Sequence, residues 1–324
     1  MRRVFWNADE RRVRAPWRLL MQLFLFLAVL IGMALMTNAM GAGLCTAAVG
    51  SVLYLAGGVG AVGLLCRFID RRSFADYGFH LNRSWWRDLG FGLFLGAFLM
   101  TGIFLTERSA GWVEVVGAGA ASSAVPFGLA VLVRLIVYVA VGVNEELSFR
   151  GYQLKNLAEG LAGKRLGPRA ALLLSLAISS VLFGVGHMTN KSATPLSMAN
   201  IVIAGVLAGM PFLLTGELAV SIGLHISWNF FEGTVYGFAV SGSRPTTPLL
   251  SIRQCGPELW TGGAFGPEAG LTYIPWVLAG CVLIALWVKL SRRRLALQPS
   301  LAAYAPRIAA PPPVAGNPPP RSAR

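Results

Sequence analysis

The chain has 324 residues, 55% of them hydrophobic and only 13% charged, with a mean hydropathy of +0.61. That composition excludes a soluble globule and describes a polytopic membrane protein. A net charge of +14 does not point to nucleic acid, because no basic face with aromatics or a groove-reading element accompanies it.

A spanning helix needs about 20 predominantly apolar residues, and eight runs qualify: 18–40, 45–66, 88–106, 125–144, 170–188, 197–214, 216–238 and 272–290. The first follows a basic, Trp-containing segment at 1–17. It is longer than the 7–15 apolar residues of a signal peptide, so it reads as an uncleaved helix. No alternating pattern recurs at barrel spacing, and lipid obliges backbone groups to pair internally. The expected fold is therefore all-α, a polytopic transmembrane helical bundle of about eight spans.

Basic residues alternate by loop. Arg2, Arg3, Arg11, Arg12, Arg14 and Arg18 precede the first run; Arg67, Arg71, Arg72, Arg83 and Arg87 follow the second. Lys155, Lys164, Arg165 and Arg169 separate the fourth and fifth, and Lys289, Arg292, Arg293 and Arg294 close the last. The intervening loops hold only Arg108, Lys191, Arg244 and Arg253. The positive-inside rule then places both termini in the cytoplasm. The expected division is a basic N-terminus at 1–17, a membrane domain at 18–295 with its core near 85–240, and a Pro-rich cytoplasmic tail at 296–324 with no apolar face to bury. Arginine far outnumbers lysine, which suggests a GC-rich bacterial genome and a bacterial inner membrane.

Cys45, Cys66, Cys255 and Cys281 form no Cys-x-x-Cys pair, so neither a thiolate zinc site nor a redox motif is indicated. No phosphate-binding glycine pattern stands out; glycines spread through the spans instead permit close helix contact.

Chemistry concentrates in three strings. Asn144-Glu145-Glu146-Leu147-Ser148-Phe149-Arg150 places two carboxylates and a guanidinium at the edge of the fourth run. A charge at bilayer depth costs on the order of 3 kcal/mol or more, so such groups face protein or a wet cavity and carry function. Glu146 and Arg150 have the spacing and order of a favourable helical ion pair. Glu145 points about 100° away around the helix and is left free as a general base. Phe183 and His187 share a face of the fifth run, and His225 shares one with Asn229 in the seventh. His187 suits orienting the attacking water or shuttling its proton; His225 and Asn229 suit donating to an oxyanion. The set fits amide hydrolysis by activated water, without a serine or cysteine nucleophile. His80 reads as a solvated loop residue.

Glu145-Glu146-x-x-x-Arg150, Phe183-x-x-x-His187 and His225-x-x-x-Asn229 resemble the three motifs of the CPBP family, also called the Abi or CAAX-protease family. The resemblance covers roughly residues 85–240. It implies an intramembrane endopeptidase acting on a membrane-associated protein or peptide, with Glu145 as the catalytic glutamate, His187, His225 and Asn229 completing the site, and Glu146 and Arg150 supporting it. Family members are often described as metalloproteases. Zinc commonly takes three protein ligands, for which Glu145, His187 and His225 are the candidates, but the His-Glu-x-x-His spacing is absent and the preferred reading needs no cofactor. The competing class is a non-catalytic immunity or scaffold protein, or a proton-coupled transporter. Transporters commonly repeat their halves, and neither the Glu145 nor the His225 motif is duplicated.

The spans as drawn put Glu145 near the cytoplasmic end of one helix and His187 near the opposite end of the next. Their cooperation requires that the fourth helix extend past Arg150 or that the loop after His187 dip inward, and the expectation is that Met188 to Ser197 is a buried or re-entrant connection.

Overall fold

The computed structural model describes residues 2–41, 43–119 and 125–306. Seven helices among them are long and apolar enough to cross a membrane. They are α1 (Ala15–Met40), α2 (Leu44–Asp70), α3 (Arg83–Ser109), α4 (Phe127–Leu161), α5 (Pro168–Gly186), α6 (Pro195–Thr215) and α8 (Tyr273–Arg292). Between the last two lies α7, over 219–235, α-helical at Ala219–Asn229 and π-helical at Phe230–Val235. It is the shortest of the eight. The chain is an all-α membrane bundle. Its helices present Phe24, Leu35, Phe94, Leu278 and Leu290 outward, each more than 60% exposed, an apolar surface that lipid solvates and water does not.

Two helices set the interior. α3 and α7 run side by side in the same direction, because Gly92 lies against Val220, Gly96 against Leu224 and Ser227, and Gly223 against Leu89. The Gly92-x-x-x-Gly96 spacing removes side chains where the backbones touch, as small-residue interfaces in membranes require. Further along, the Tyr236 hydroxyl donates to Thr101 Oγ1 at 2.8 Å and Phe104 stacks on the Tyr236 ring. Leu95, Leu99, Leu207, Leu224, Trp228 and Ile284 form the core joining α3, α6, α7 and α8.

α4 is much longer than the apolar run at 125–144. It continues without a break through a π-helical stretch at Glu146–Leu154 into Lys155–Leu161. All nine residues of that stretch are buried, so their polarity does not mark a boundary with water. Protein, not solvent, surrounds them. The wider π turn releases backbone carbonyls from the ordinary ladder, and Ser179 Oγ of α5 donates to Phe149 O at 2.8 Å. That bond sets the register between antiparallel α4 and α5. Glu145 lies about 6 Å and His187 about 12 Å beyond it on the same side, at roughly 1.5 Å per residue.

The requirement on depth is therefore met by helix extension. The expected buried connection at 188–197 is corrected: Thr189, Lys191 and Ser192 are exposed, and Met188 is 60% exposed.

The two ends of the bundle are distinct. At one, Arg12 and Arg72 both reach Glu159 at the end of α4, and Gln298 N donates to Leu213 O at the end of α6. The N-terminal segment, the ends of α2, α4 and α6, and the segment after α8 share this face. The expected tail disorder does not extend to its first residues, since Leu301 and Ala302 are buried and the Tyr304 hydroxyl donates to Arg71 O. Two short apolar side chains suffice to seat the strap. The remainder of that tail, 307–324, lies outside the described residues. At the opposite face, strand β1 (Val113–Ala118) pairs antiparallel with β2 (Leu250–Gln254), and Asn190 Nδ2 donates to Ser241 O.

Candidate active site

α4, α5 and α7 bring the three motifs to one cavity of about 580 Å³, lined by Glu145, Glu146, Arg150, His187, His225 and Asn229 among others. The size suits a small ligand or a few residues of peptide.

Glu146 is fully buried. Its Oε1 accepts from Arg150 Nη1 at 3.1 Å and stands 2.8 Å from His225 Nδ1. One carboxylate oxygen thus ties α4 to α7. Arg150 is held on two further sides, by Gly205 O at 3.5 Å and by the Phe183 ring, 4.2 Å from the guanidinium carbon, a cation–π contact. The guanidinium fixes the carboxylate, and the carboxylate fixes the imidazole. Because a carboxylate only accepts, His225 Nδ1 carries the hydrogen, and Nε2 is turned toward the cavity.

There His225 Nε2 lies 3.9 Å from Glu145 Oε2. The distance is too long for a direct hydrogen bond and fits two groups that share one water. The Glu145 side chain retains 18% of its accessibility, in contrast to its buried neighbour.

Phe183 separates the two imidazoles, its ring centroid 4.7 Å from that of His187 and 6.4 Å from that of His225. His187 Nδ1 lies 2.8 Å from Phe183 O. A carbonyl only accepts, so this nitrogen is the donor. Asn229 is 7% exposed and lines the cavity with no side-chain hydrogen bond among the described residues.

His80 is far from the cavity, on the face of the termini, where its Nδ1 lies 2.7 Å from Glu217 Oε1. It is half-exposed and held beside a carboxylate, where the sequence suggested a merely solvated ring.

Two acids were missed. Glu268, in the α7–α8 connection, lines the cavity and accepts from Ser241 N at 3.1 Å and Ser241 Oγ at 2.6 Å. Nothing in its local sequence distinguishes it. Glu232 does not line the cavity; it is fully buried, and among the described residues neither of its carboxyl oxygens has a hydrogen-bond partner. Its spacing of seven from His225 and three from Asn229 is a signal that the sequence does offer.

Among the described residues, no three His, Cys, Asp or Glu side chains are grouped to hold a metal ion. Both Nδ1 atoms have protein partners, which leaves Nε2 as the second ring nitrogen of each imidazole.

Residues 126–231 match the family described as Type II CAAX prenyl endopeptidase Rce1-like. This segment is similar to the CAAX-protease family. The match runs from the start of α4 into the π-helical end of α7 and contains all three motifs. No curated protein and no solved structure matches the chain.

Proposed function

We propose that the chain is an intramembrane endopeptidase that hydrolyses a peptide bond of a membrane-associated protein or peptide. The attacking water sits between Glu145 Oε2 and His225 Nε2. Glu145 takes its proton as the oxygen bonds to the carbonyl carbon, and Asn229 Nδ2 donates to the oxyanion. The carbon–nitrogen bond then breaks, and the proton passes from Glu145 to the leaving amine, with the free Nε2 of His187 available to relay it. Glu146 and Arg150 act through His225 and are positioning residues. The protein resides in a cell membrane, in a bacterium the inner one, with both termini cytoplasmic.

The observation that carries this reading is the 3.9 Å gap between Glu145 and an imidazole whose other nitrogen is held by Glu146. It is tested with the purified chain in proteoliposomes against a library of membrane-associated peptides. Replacing Glu145 by Gln lowers cleavage by about 10³-fold, the scale of a lost general base. Cleavage by the variant at the wild-type rate removes the assigned base, and no cleavage by the wild type supports the non-catalytic alternative.

A further inference from the structure

The cavity is asymmetric along the bundle. On α4 its lining follows one helical face, through Arg134, Tyr138, Val141 and Glu145, over about 16 Å at 1.5 Å per residue. In the other direction it stops within little more than a turn, at Phe149 and Arg150. Beneath them the bundle is solid, with Arg18, Asp70, Arg72, Tyr77 and Tyr152 all at most 2% exposed.

The loops agree with the helices. Every lining residue from a connection between helices belongs to the α5–α6 or the α7–α8 connection, among them Thr189, Asn190, Ser241, Arg244 and Glu268. None comes from the connections on the face of the termini. The mouth therefore opens on the face opposite both termini.

Charge gives that face a side. The connections near the termini carry Arg11, Arg12, Arg14, Arg71, Arg72, Lys164, Arg165, Arg293 and Arg294, whereas those around the mouth carry only Lys191, Arg244 and Arg253. Positive charge is retained in the cytoplasm.

We infer that the site is supplied from the non-cytoplasmic side of the membrane, so that its substrates are exported polypeptides lying in or emerging from that side, not the tails of cytoplasmic proteins. The substrate class rests on the peptidase reading; the sidedness does not. A segment already in the membrane also meets the lining at Phe26 and Leu30 of the outwardly exposed α1, an apolar wall that matches a hydrophobic anchor.

A membrane-impermeant sulfonated maleimide tests it on sealed right-side-out and inside-out vesicles. Cys45 and Cys255, both exposed, are replaced by Ser, and Ser243→Cys at the cavity rim or Lys164→Cys on the opposite face is introduced. The expected result is at least tenfold stronger labelling of S243C in right-side-out vesicles and the reverse for K164C. Where S243C does not fold, native Cys255 in a Cys45→Ser chain reports the same face. Labelling of the rim cysteine from the inside-out preparation only, or equally from both, overturns the inference. Labelling needs no turnover, so its outcome is separate from that of the peptidase reading. A peptide cleaved in detergent is then offered to either side of oriented proteoliposomes, and cleavage only from the Lys164 side overturns the substrate class.

Discussion

Two buried clusters of acids and arginines occupy the bundle, and they differ in what is left over. On the face of the termini, Glu159 receives Arg12, Arg18 and Arg72 at 2.8, 3.3 and 2.7 Å. Asp70 receives Arg18 at 2.9 Å and the Tyr77 hydroxyl at 2.8 Å. Tyr304 lies over Arg12 with its ring 3.6 Å from the guanidinium carbon. Burial is the chief cause that pushes the Tyr77 phenol well above its usual range, with Asp70 adding to it. None of these groups reaches the main cavity. In the active-site cluster, by contrast, only Glu146 is held in this way, while Glu145 and Asn229 face open volume. Similar side chains thus serve anchoring where each carboxylate is paired with guanidinium groups and chemistry where one carboxylate is left without such a partner.

Substitutions that separate anchoring from chemistry sharpen the contrast. The largest effect is expected for His225→Ala, which removes the second support of the water and frees Glu146 from α7. Cleavage falls about 10³-fold, while the melting temperature in detergent moves little because Arg150 still pairs with Glu146. Next is Glu159→Ala, which leaves Arg12, Arg18 and Arg72 without their shared carboxylate. Breaking such a buried network costs about 3–5 kcal/mol, to be read in thermal or denaturant unfolding, with cleavage per folded molecule unchanged at low temperature. A rate loss without a stability loss there would merge the two clusters into one functional unit.

Gly96→Ala comes third. Its Cβ would lie 2.2 Å from Ser227 Oγ and 2.4 Å from Leu224 O, which forces α3 from α7 at about 1–3 kcal/mol. Because Leu224 precedes His225, a drop in kcat accompanies the drop in stability, and unfolding measurements beside initial rates check both. Ser179→Ala is the smallest, about 1 kcal/mol for the lost bond to Phe149 O, detected as faster amide exchange in the π-helical stretch.

Much of the architecture was written in hydropathy. All eight apolar runs became helices, since a run long enough to cross lipid has few alternatives to the helix. What hydropathy could not convey was the length of α4, because Glu146–Leu154 is polar in sequence yet wholly buried. Polarity marks a helix end only where water meets it. The π turns at Glu146–Leu154 and Phe230–Val235 were equally hidden, because they follow from tertiary partners such as Ser179. For the site, the motifs named groups that do share a cavity, but the coupling of His225 to Glu146, and with it the placement of this imidazole beside Glu145, depends on how α4 and α7 cross. Glu268 arrives from a long connection whose path no periodicity describes. Glu232 could have been found by following the face of His225 and Asn229 one further turn.

The central claim is that Glu145 is the carboxylate left free for water activation while Glu159 holds the fold by gathering three guanidinium groups at its Oε2. Glu145→Gln and Glu159→Gln, compared side by side for peptide cleavage and for melting temperature in detergent, test it most directly. The account predicts that Glu145→Gln lowers cleavage by about 10³-fold with an unchanged or raised melting temperature, and that Glu159→Gln lowers the melting temperature while cleavage persists. Wild-type cleavage by the Glu145→Gln protein, or an equal loss of stability in both variants, would contradict it.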